Sequence, residues 1–342
     1  MKDDFFYVGG GAAKTLEEVA FLKKKYDLFN IHIIKEIFKD VLNAQVEKIT
    51  KPTIVGLPHV TYFVRTKDKK EYCFRANLGN EKPEIELIIE KLASDLAAKN
   101  GVPTNKILSV DCSRKNYPFD FQIQERLFGE NPEYNFTGTQ KDYDKLSFQL
   151  GQIIAKLSEI KTTKFGRFSK KIAEKKNQLT GRLNSNFDYI ILELENQLQY
   201  IINAGYINKS QFNKILKLFY DSKPLVNIKT GSLVHYDLAD HNFFYHPKTF
   251  KITGIFDWEA VCSSDPVLDI GSAPTWKILY ERETKLIEGY QSLKKLPDNY
   301  QEKINLYRLR TIIWKVVHNI KFDMLTKERL VRLTKALAPF KI

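Results

Sequence analysis

The sequence contains few cysteines and no long apolar run. Its three cysteines, Cys73, Cys112 and Cys262, are odd in number and far apart in a chain of 342 residues. This spacing excludes a disulfide framework and a CxxC metal pair. No apolar stretch reaches the ~20 residues that a membrane-spanning helix needs, and the first residues lack the basic and apolar regions of a signal peptide. We therefore expect a cytoplasmic protein without a membrane partner.

The composition is that of a folded protein with an excess of positive charge. Hydrophobic residues make up 43% and charged residues 28%, close to globular averages, which excludes a mostly disordered chain. There are 54 Lys and Arg against 41 Asp and Glu, a formal net charge of +13. Such a charge favours anionic partners and says nothing of the fold. The length fits one large domain or two coupled ones.

Hydrophobic periodicity changes along the first third of the chain. Apolar positions three and four apart predict a helical extension over residues 1–53. Alternating residues in 60–64 and again in 71–75 predict a β-hairpin. A helix is predicted from near Pro83 to just before Gly101, and two more strands follow it.

The rest of the chain has a mostly helical pattern. One exception is a predicted hairpin over residues 242–256, around a turn of Pro, Lys and Thr. The sequence thus predicts an α+β fold of two lobes, a small β-rich lobe over 54–128 and a larger, mainly helical lobe over 129–342. The second lobe contains the segment 233–259, which carries the chemistry.

That segment has the form H-x-D-x4-N, followed by the hairpin and a second Asp. Its residues are His235-Tyr236-Asp237-Leu238-Ala239-Asp240-His241-Asn242 and Phe256-Asp257-Trp258-Glu259. Phosphoryl transfer from a nucleotide needs a group near the nucleophile's proton and oxygen ligands for Mg²⁺. Asp237 would orient or deprotonate the acceptor hydroxyl, while Asn242 and Asp257 would offer oxygens to Mg²⁺ from the two ends of the hairpin. The segment could therefore supply both requirements of phosphoryl transfer.

The same segment resembles the catalytic core of the aminoglycoside phosphotransferase and choline kinase-like family, relatives of the protein kinases that phosphorylate small molecules. The family pattern is H-G-D-x4-N, a short hairpin and I-D-W-E, often followed by D-P-x-x-D-L/I, which Asp265-Pro266 and Asp269-Ile270 match. Tyr236 departs from the pattern, since it stands where the small-molecule kinases usually have glycine. Phe165-Gly166 and the layout of the lobes resemble the hygromycin phosphotransferase branch most.

The resemblance implies a two-lobed protein-kinase-like fold. The function that it implies is the ATP-dependent transfer of the γ-phosphate to a hydroxyl of a small-molecule acceptor. Position by position, it implies Asp237 as the catalytic aspartate, with Asn242 and Asp257 as Mg²⁺ ligands. His235 and Asp269 would support the catalytic loop.

The resemblance extends to the nucleotide-binding lobe. Arg75 stands at the end of the third strand, where the family has a Lys or Arg that holds the nucleotide phosphates. A Glu of the next helix should pair with it, either Glu90 or its rival Glu86. Three further nucleotide-binding candidates are His59 in the phosphate-covering turn, and Glu125 and Leu127 in the linker whose backbone would meet the adenine edge.

A basic stretch lies between Lys161 and Arg182, where eight Lys or Arg residues face one acid, Glu174. If the stretch faces the acceptor cleft, it repels a polycationic aminoglycoside and favours a neutral or anionic acceptor. A helix exposed to solvent is the alternative interpretation. A nucleic-acid partner is not expected, because no recognised binding motif accompanies the charge.

Two other functions are left open by the sequence. A kinase-like module without catalysis would bind an anionic partner through residues 161–182. A metallohydrolase would use the cluster of His235, Asp237 and His241, to which Asp240 adds a carboxylate. A purely structural role, with a buried His and a capping Asp on a turn, is also possible for the motif, and Trp258 and Trp276 are expected in the core.

Overall fold

A five-stranded antiparallel sheet forms the first part of the molecule in the computed structural model, which describes residue 6 and residues 24–53, 59–78 and 86–342. The strands are β1 (Val46–Thr50), β2 (Val60–Thr66), β3 (Glu71–Asn77), β4 (Ile107–Asp111) and β5 (Asp120–Glu125), in the order β1-β2-β3-β5-β4. The predicted helix start near Pro83 and the Gly56–Pro58 part of the predicted phosphate-covering turn lie outside the described residues.

Strand β1 corrects the prediction that the first fifty residues are helical. Helix α1 (Ile33–Leu42) does form there, but Val46–Thr50 pairs with β2, with Ile49 opposite Val64. A strand of five residues at a sheet edge is too short for its alternation to stand out from a neighbouring helical pattern. Its pairing with β2 decides the conformation.

The alternation of side chains along β3 gives the sheet two different faces. Tyr72 and Phe74 point into an aromatic core that α1 covers with Ile37 and Phe38. Arg75 points to the opposite face, on the side of helix α2 (Leu87–Lys99), whose residue Glu90 it contacts. The strand therefore delivers a single cation to the interior between the lobes.

The second part of the molecule is mainly helical. Its helices are α3 (Pro132–Asn135), α4 (Gln140–Leu157), α5 (Lys170–Lys176), α6 (Asn186–Ile190), α7 (Leu194–Asn203), α8 (Lys209–Asp221), α9 (Lys223–Val226), α10 (Val267–Ser272), α11 (Glu283–Gln291), α12 (Tyr300–Lys321) and α13 (Lys327–Leu337). The apolar face shared by residues 190–201 belongs to two helices, because the chain breaks at Glu193, whose φ is 59°. In the described parts of the chain, no helix has the length and hydropathy of a membrane span.

Short strands in the helical lobe hold the catalytic segment. The sequence missed a sheet of order β6-β9-β12-β7-β8, because its strands have only two to four residues: β6 (Lys161–Thr162), β7 (Phe165–Phe168), β8 (Gly181–Leu183), β9 (Gly231–Val234) and β12 (Cys262–Ser264). The predicted hairpin forms from β10 (Phe243–His246) and β11 (Lys251–Ile255). The catalytic segment thus leaves β9, passes through the hairpin and returns to β12. The domain boundaries after residues 53 and 128 stay predictions.

Candidate active site

The backbone of the catalytic loop is fixed by a buried carboxylate of helix α10. Asp269 accepts hydrogen bonds from the backbone N–H of His235 (3.0 Å) and of Tyr236 (2.7 Å). Burial raises the pKa of Asp269 to about 7, against the effect of these two donors. The bonds matter because Tyr236 has a φ of 67°, a left-handed conformation that costs a non-glycine residue free energy. Asp269 therefore lies where the sequence places it, under the loop.

His235 is a neutral support of the loop. Its Nδ1 accepts the backbone N–H of Asp237 at 3.3 Å, so its Nε2 carries the proton and donates to the carbonyl of Phe256 at 3.2 Å. Its ring lies on Trp258, at 4.6 Å between centroids. Burial lowers the pKa of His235 to about 4, which keeps it uncharged at neutral pH. It joins the start of the loop to the end of the hairpin.

Asp237 is held from both carboxylate oxygens. The amide nitrogen of Asn242 donates to Oδ2 at 2.8 Å and to the backbone carbonyl of Asp237 at 2.9 Å. The indole N–H of Trp276 donates to Oδ1. His241 Nε2 lies 4.0 Å from Oδ2. The carboxylate has therefore one orientation, set by three side chains.

The hairpin brings Asp257 to the same region, as the sequence predicts. Asp257 follows β11 with a φ of 68°, and its Oδ1 lies 3.5 Å from Arg75 Nη2 of the first lobe. Burial raises the pKa of Asp257, and the nearby Asp237 adds to the effect, while Arg75 opposes it. A third of the Asp257 side chain is still exposed, at 33%. The residue thus faces the space between the lobes.

The carboxylates around Asp257 fit a divalent cation. Burial and the neighbouring Asp257 raise the pKa of Glu259 well above its usual value. Asn242 uses its amide nitrogen on Asp237, which leaves its oxygen for a metal. Mg²⁺ typically takes one or two protein oxygens and completes its shell with phosphates and water. Among the described residues, no group of three or more His, Cys, Asp or Glu forms a metal cage.

Arg75 pairs with Glu90 rather than with its rival Glu86. The guanidinium Nη1 donates to Glu90 Oε2 at 2.7 Å, and both side chains are nearly buried. Although burial works against the charge, Glu90 and Asp257 raise the pKa of Arg75. Glu86 lies at the start of α2 and faces Lys170 and Arg182, at 3.8 and 3.9 Å. The sequence left this choice open because both acids are one helical turn apart.

The other nucleotide-binding candidates lie around this pair. His59 is buried with Nε2 3.8 Å from Glu90 Oε1, and burial lowers its pKa well below the usual value. Glu125 ends β5 with an exposed side chain, 3.3 Å from Lys106 Nζ. Leu127 packs its side chain on Gly254 of the hairpin. The roles of these residues toward a nucleotide stay predictions.

The proposed metallohydrolase cluster does not converge. The two ring nitrogens of His235 are occupied by the backbone, and His241 Nδ1 contacts Glu133 Oε2 at 2.7 Å. Asp240 turns away from Asp237 and binds Arg282 Nη1 at 2.9 Å and the hydroxyl of Tyr143 at 2.8 Å, all buried. The metallohydrolase hypothesis is therefore not supported.

The basic stretch of residues 161–182 does not line the cavity of about 320 Å³ that lies beside Asp237. Lys170 and Arg182 lie near Glu86, and Arg167 is buried, where it donates to the backbone carbonyls of Glu259 (2.5 Å) and Val261 (3.2 Å). Part of the stretch thus supports the end of the catalytic segment.

Two residues of the site escaped the sequence interpretation. Trp276, expected in the core, donates to Asp237 and lines a cavity of about 320 Å³. Lys315 of α12 lies against the Trp276 ring, 3.4 Å from its centroid. Trp258 is in the core as expected, with its N–H bound to Thr104 at 3.0 Å. A tryptophan shortly after the D-P-x-x-D element was the only signal in the sequence, and it did not distinguish the two roles.

Comparison with known proteins gives one family. The model of the phosphotransferase enzyme family matches residues 55–301. Similar solved structures include an apo thermostable mutant of aminoglycoside phosphotransferase APH(4)-Ia (TM-score 0.63, 13% identity, 89% of this chain and 98% of the other). A putative fructosamine-3-kinase from Thermobifida fusca YX-ER1 is similar as well (TM-score 0.63, 12% identity, 90% of this chain and 100% of the other).

A third similar structure is an APH(4)-Ia mutant in a ternary complex with ADP and hygromycin B (TM-score 0.63, 12% identity, 89% of this chain and 98% of the other). At such identities the likeness is one of fold, and it confirms the two-lobed α+β architecture. No curated protein matches the chain. The hygromycin branch stays a prediction, since fructosamine kinases are equally similar.

Proposed function

Since this chain belongs to the phosphotransferase enzyme family, we propose that it transfers the γ-phosphate of ATP to a hydroxyl of a small molecule with Asp237 as its catalytic residue. The observation that supports this role is the fixed carboxylate beside a cavity. Asn242 and Trp276 hold its two oxygens, and the loop around it is braced by Asp269. A group held in this way can orient an acceptor hydroxyl and take its proton.

The residues around Asp237 divide the remaining work. Arg75, held by Glu90, would bind phosphate oxygens of the nucleotide with its planar guanidinium. Asn242 and Asp257 would hold Mg²⁺, which neutralises charge on the transferring phosphate when bound. His235 keeps the loop and the hairpin end together and takes no proton at neutral pH, because burial lowers its pKa to about 4 and both of its ring nitrogens bond to the backbone.

The net charge and the free cysteines bear on the charge of the acceptor and on the cellular location. We propose a neutral or anionic acceptor, since the net charge of +13 disfavours a polycationic one. We also propose that the protein acts in the cytoplasm, because ATP is its donor and its three cysteines are free.

The role of Asp237 is tested with Asp237→Ala. We expect turnover to fall by about 100-fold or more, since a positioned acid or base contributes on this scale. Asp298→Ala is the matched control, because this aspartate is exposed and lies outside the site. Turnover is measured as ADP release over a panel of alcohols, sugars, nucleosides and antibiotics. Near-normal turnover of a folded Asp237→Ala variant would remove the residue from its role.

A further inference from the structure

The cavity beside Asp237 is placed to receive the acceptor. It has a volume of about 320 Å³, enough for a small metabolite. Two of its lining residues contact Asp237 directly: Trp276 donates to Oδ1, and His241 Nε2 lies 4.0 Å from Oδ2. The cavity therefore adjoins Asp237 through these two side chains. Its other walls come from helices α12 and α13 and the turn between them.

The charge of this cavity is strongly positive. Its cationic lining residues are Lys277, Lys315, Arg329 and Arg332. Among the described residues that line it, the one acid is Glu133, which is already paired with His241 at 2.7 Å. Burial lowers the pKa of the lining residue His318 to about 4, so it adds no charge. Four basic side chains thus face the cavity without a carboxylate that lines it to match them.

Lys315 is the most informative of these cations. Its side chain is 7% exposed, and its ammonium donates to the hydroxyl of Thr275 at 2.6 Å and lies over the ring of Trp276. Both contacts are with neutral groups, and a buried ammonium is costly without an anion nearby. Burial accordingly lowers the pKa of Lys315 well below its usual value, although the charge of Asp237 opposes this from a distance. A ligand anion in the cavity would supply the missing partner.

Arg329 and Arg332 are each held in the cavity wall by hydrogen bonds from one guanidinium nitrogen to neutral groups. Arg332 Nη1 donates to the backbone carbonyl of Thr275 at 3.1 Å, and Arg329 Nη1 donates to Asn319 and to the carbonyl of Met324 at 2.8 and 2.7 Å. The carboxylate near Arg332 belongs to Glu328, which is 84% exposed and 3.7 Å away. Such an exposed pair is weak. Both guanidinium groups are therefore oriented and still able to bind an anion.

From these contacts we propose that the acceptor is a small hydroxyl-bearing anion, whose carboxylate or phosphate group binds Lys315 and Arg332 while its hydroxyl faces Asp237. The inference rests on the proposed kinase function and deepens it. Attraction by these basic side chains would concentrate such a ligand, whereas a polycationic acceptor would be repelled. The preference thus comes from α12 and α13 and not from the basic stretch of residues 161–182.

Matched acceptors test the class of substrate. Glycerol, glycerate and glycerol 3-phosphate are compared with MgATP as donor, as are ribose and ribose 5-phosphate, with glucosamine as a cationic member. We expect kcat/KM for the anionic members to exceed that for the neutral and cationic ones at least tenfold. Preference for the carboxylate or for the phosphate ester within the glycerol series identifies the anion. Equal or better use of neutral or cationic acceptors would overturn the inference while leaving the kinase function intact.

Variants then test the residues. Lys315→Gln combined with Arg332→Gln should raise KM for the anionic acceptor at least tenfold with a smaller change in kcat, and Arg332→Lys should restore part of the loss. Lys171→Gln, a charge removal on the exposed side of α5, is the control and should change neither value. An unchanged KM in the double variant would contradict the assignment.

A binding measurement decides the case in which no member of the panel is phosphorylated. Inorganic phosphate is titrated by calorimetry into enzyme saturated with Mg²⁺ and a non-hydrolysable ATP analogue, so that the nucleotide site is filled. Saturable binding that weakens at least tenfold in the double variant supports an anion site in the cavity. No binding, or equal binding in both proteins, overturns it. Failure of the analogue itself to bind would instead count against the kinase function.

Discussion

Substitutions of Tyr236 test the loop conformation, because the structure predicts both the direction and the magnitude of the change in stability. At its φ of 67° a side chain costs about 1–2 kcal/mol relative to glycine. Its ring is 1% exposed, packs edge-on against Phe6 at 5.7 Å, and carries a hydroxyl 3.2 Å from Thr311 Oγ1. Loss of a buried ring costs about 3–5 kcal/mol. Tyr236→Ala and Tyr236→Gly both lose the ring, but the glycine variant also escapes the strain, so we expect it to be more stable by about 1 kcal/mol.

Thermal unfolding by calorimetry measures this difference. An unfolding entropy of about 2.1 cal/mol/K per residue makes 1 kcal/mol worth about 1.5 °C in a chain of this length, so Tyr236→Ala should lower Tm by about 4–7 °C and Tyr236→Gly by less. Tyr236→Phe, which loses only the hydroxyl, should cost about 1 kcal/mol. An alanine variant as stable as the glycine variant would refute the reasoning.

Lys217 provides the matched control. It is an exposed position inside helix α8, where glycine is about 1 kcal/mol less favourable than alanine. Lys217→Gly should therefore unfold at a lower temperature than Lys217→Ala, the reverse of the order at Tyr236. Opposite orders of stability for the Gly and Ala variants at the two positions would show that backbone conformation, and not residue size, decides which variant is more stable.

Three more predictions follow from buried charges. Glu90→Gln removes the nearer of the two carboxylates that hold the Arg75 guanidinium, so KM for ATP should rise at least tenfold, and steady-state kinetics check this. Arg282→Met leaves the carboxylate of Asp240 buried and unpaired, so urea unfolding should show a loss of about 3–5 kcal/mol. Burial lowers the pKa of His241, but its bond to Glu133 and the negative charges of Asp237, Glu133 and Asp257 together more than offset this and raise the pKa overall. The stability from that pair is thus full below pH ~6.5 and lost as the pH rises through the folded pKa, and His241→Gln should flatten this pH dependence of unfolding.

The parts of the site that are close in sequence were predictable from it. The order of Asp237, Asn242 and Asp257 carries its own geometry, because a short hairpin must return the chain to its starting edge. Asp269 was predicted as a support through the family pattern, and it binds the loop backbone. Strong local signals of this kind, turn residues and strand alternation, survive in any tertiary context.

Contacts between distant elements were not predictable. Glu86 and Glu90 differ by one helical turn, and only the docking of α2 on β3 turns Glu90 to Arg75. Strand β1 differs from the predicted helix, because pairing with β2, and not the residues of β1 themselves, determines its conformation.

The fold class and the chemistry of the loop follow from the amino-acid sequence alone, since these depend on local periodicity and on a few polar residues at fixed spacing. The surroundings of that loop depend instead on packing between distant elements. Trp276 and Lys315 are 39 and 78 residues beyond Asp237, and the charge of the acceptor cavity arises where α12 and α13 pack beside it. No local sequence pattern encodes this arrangement, because it depends on how whole helices pack together and not on the residues of any single helix.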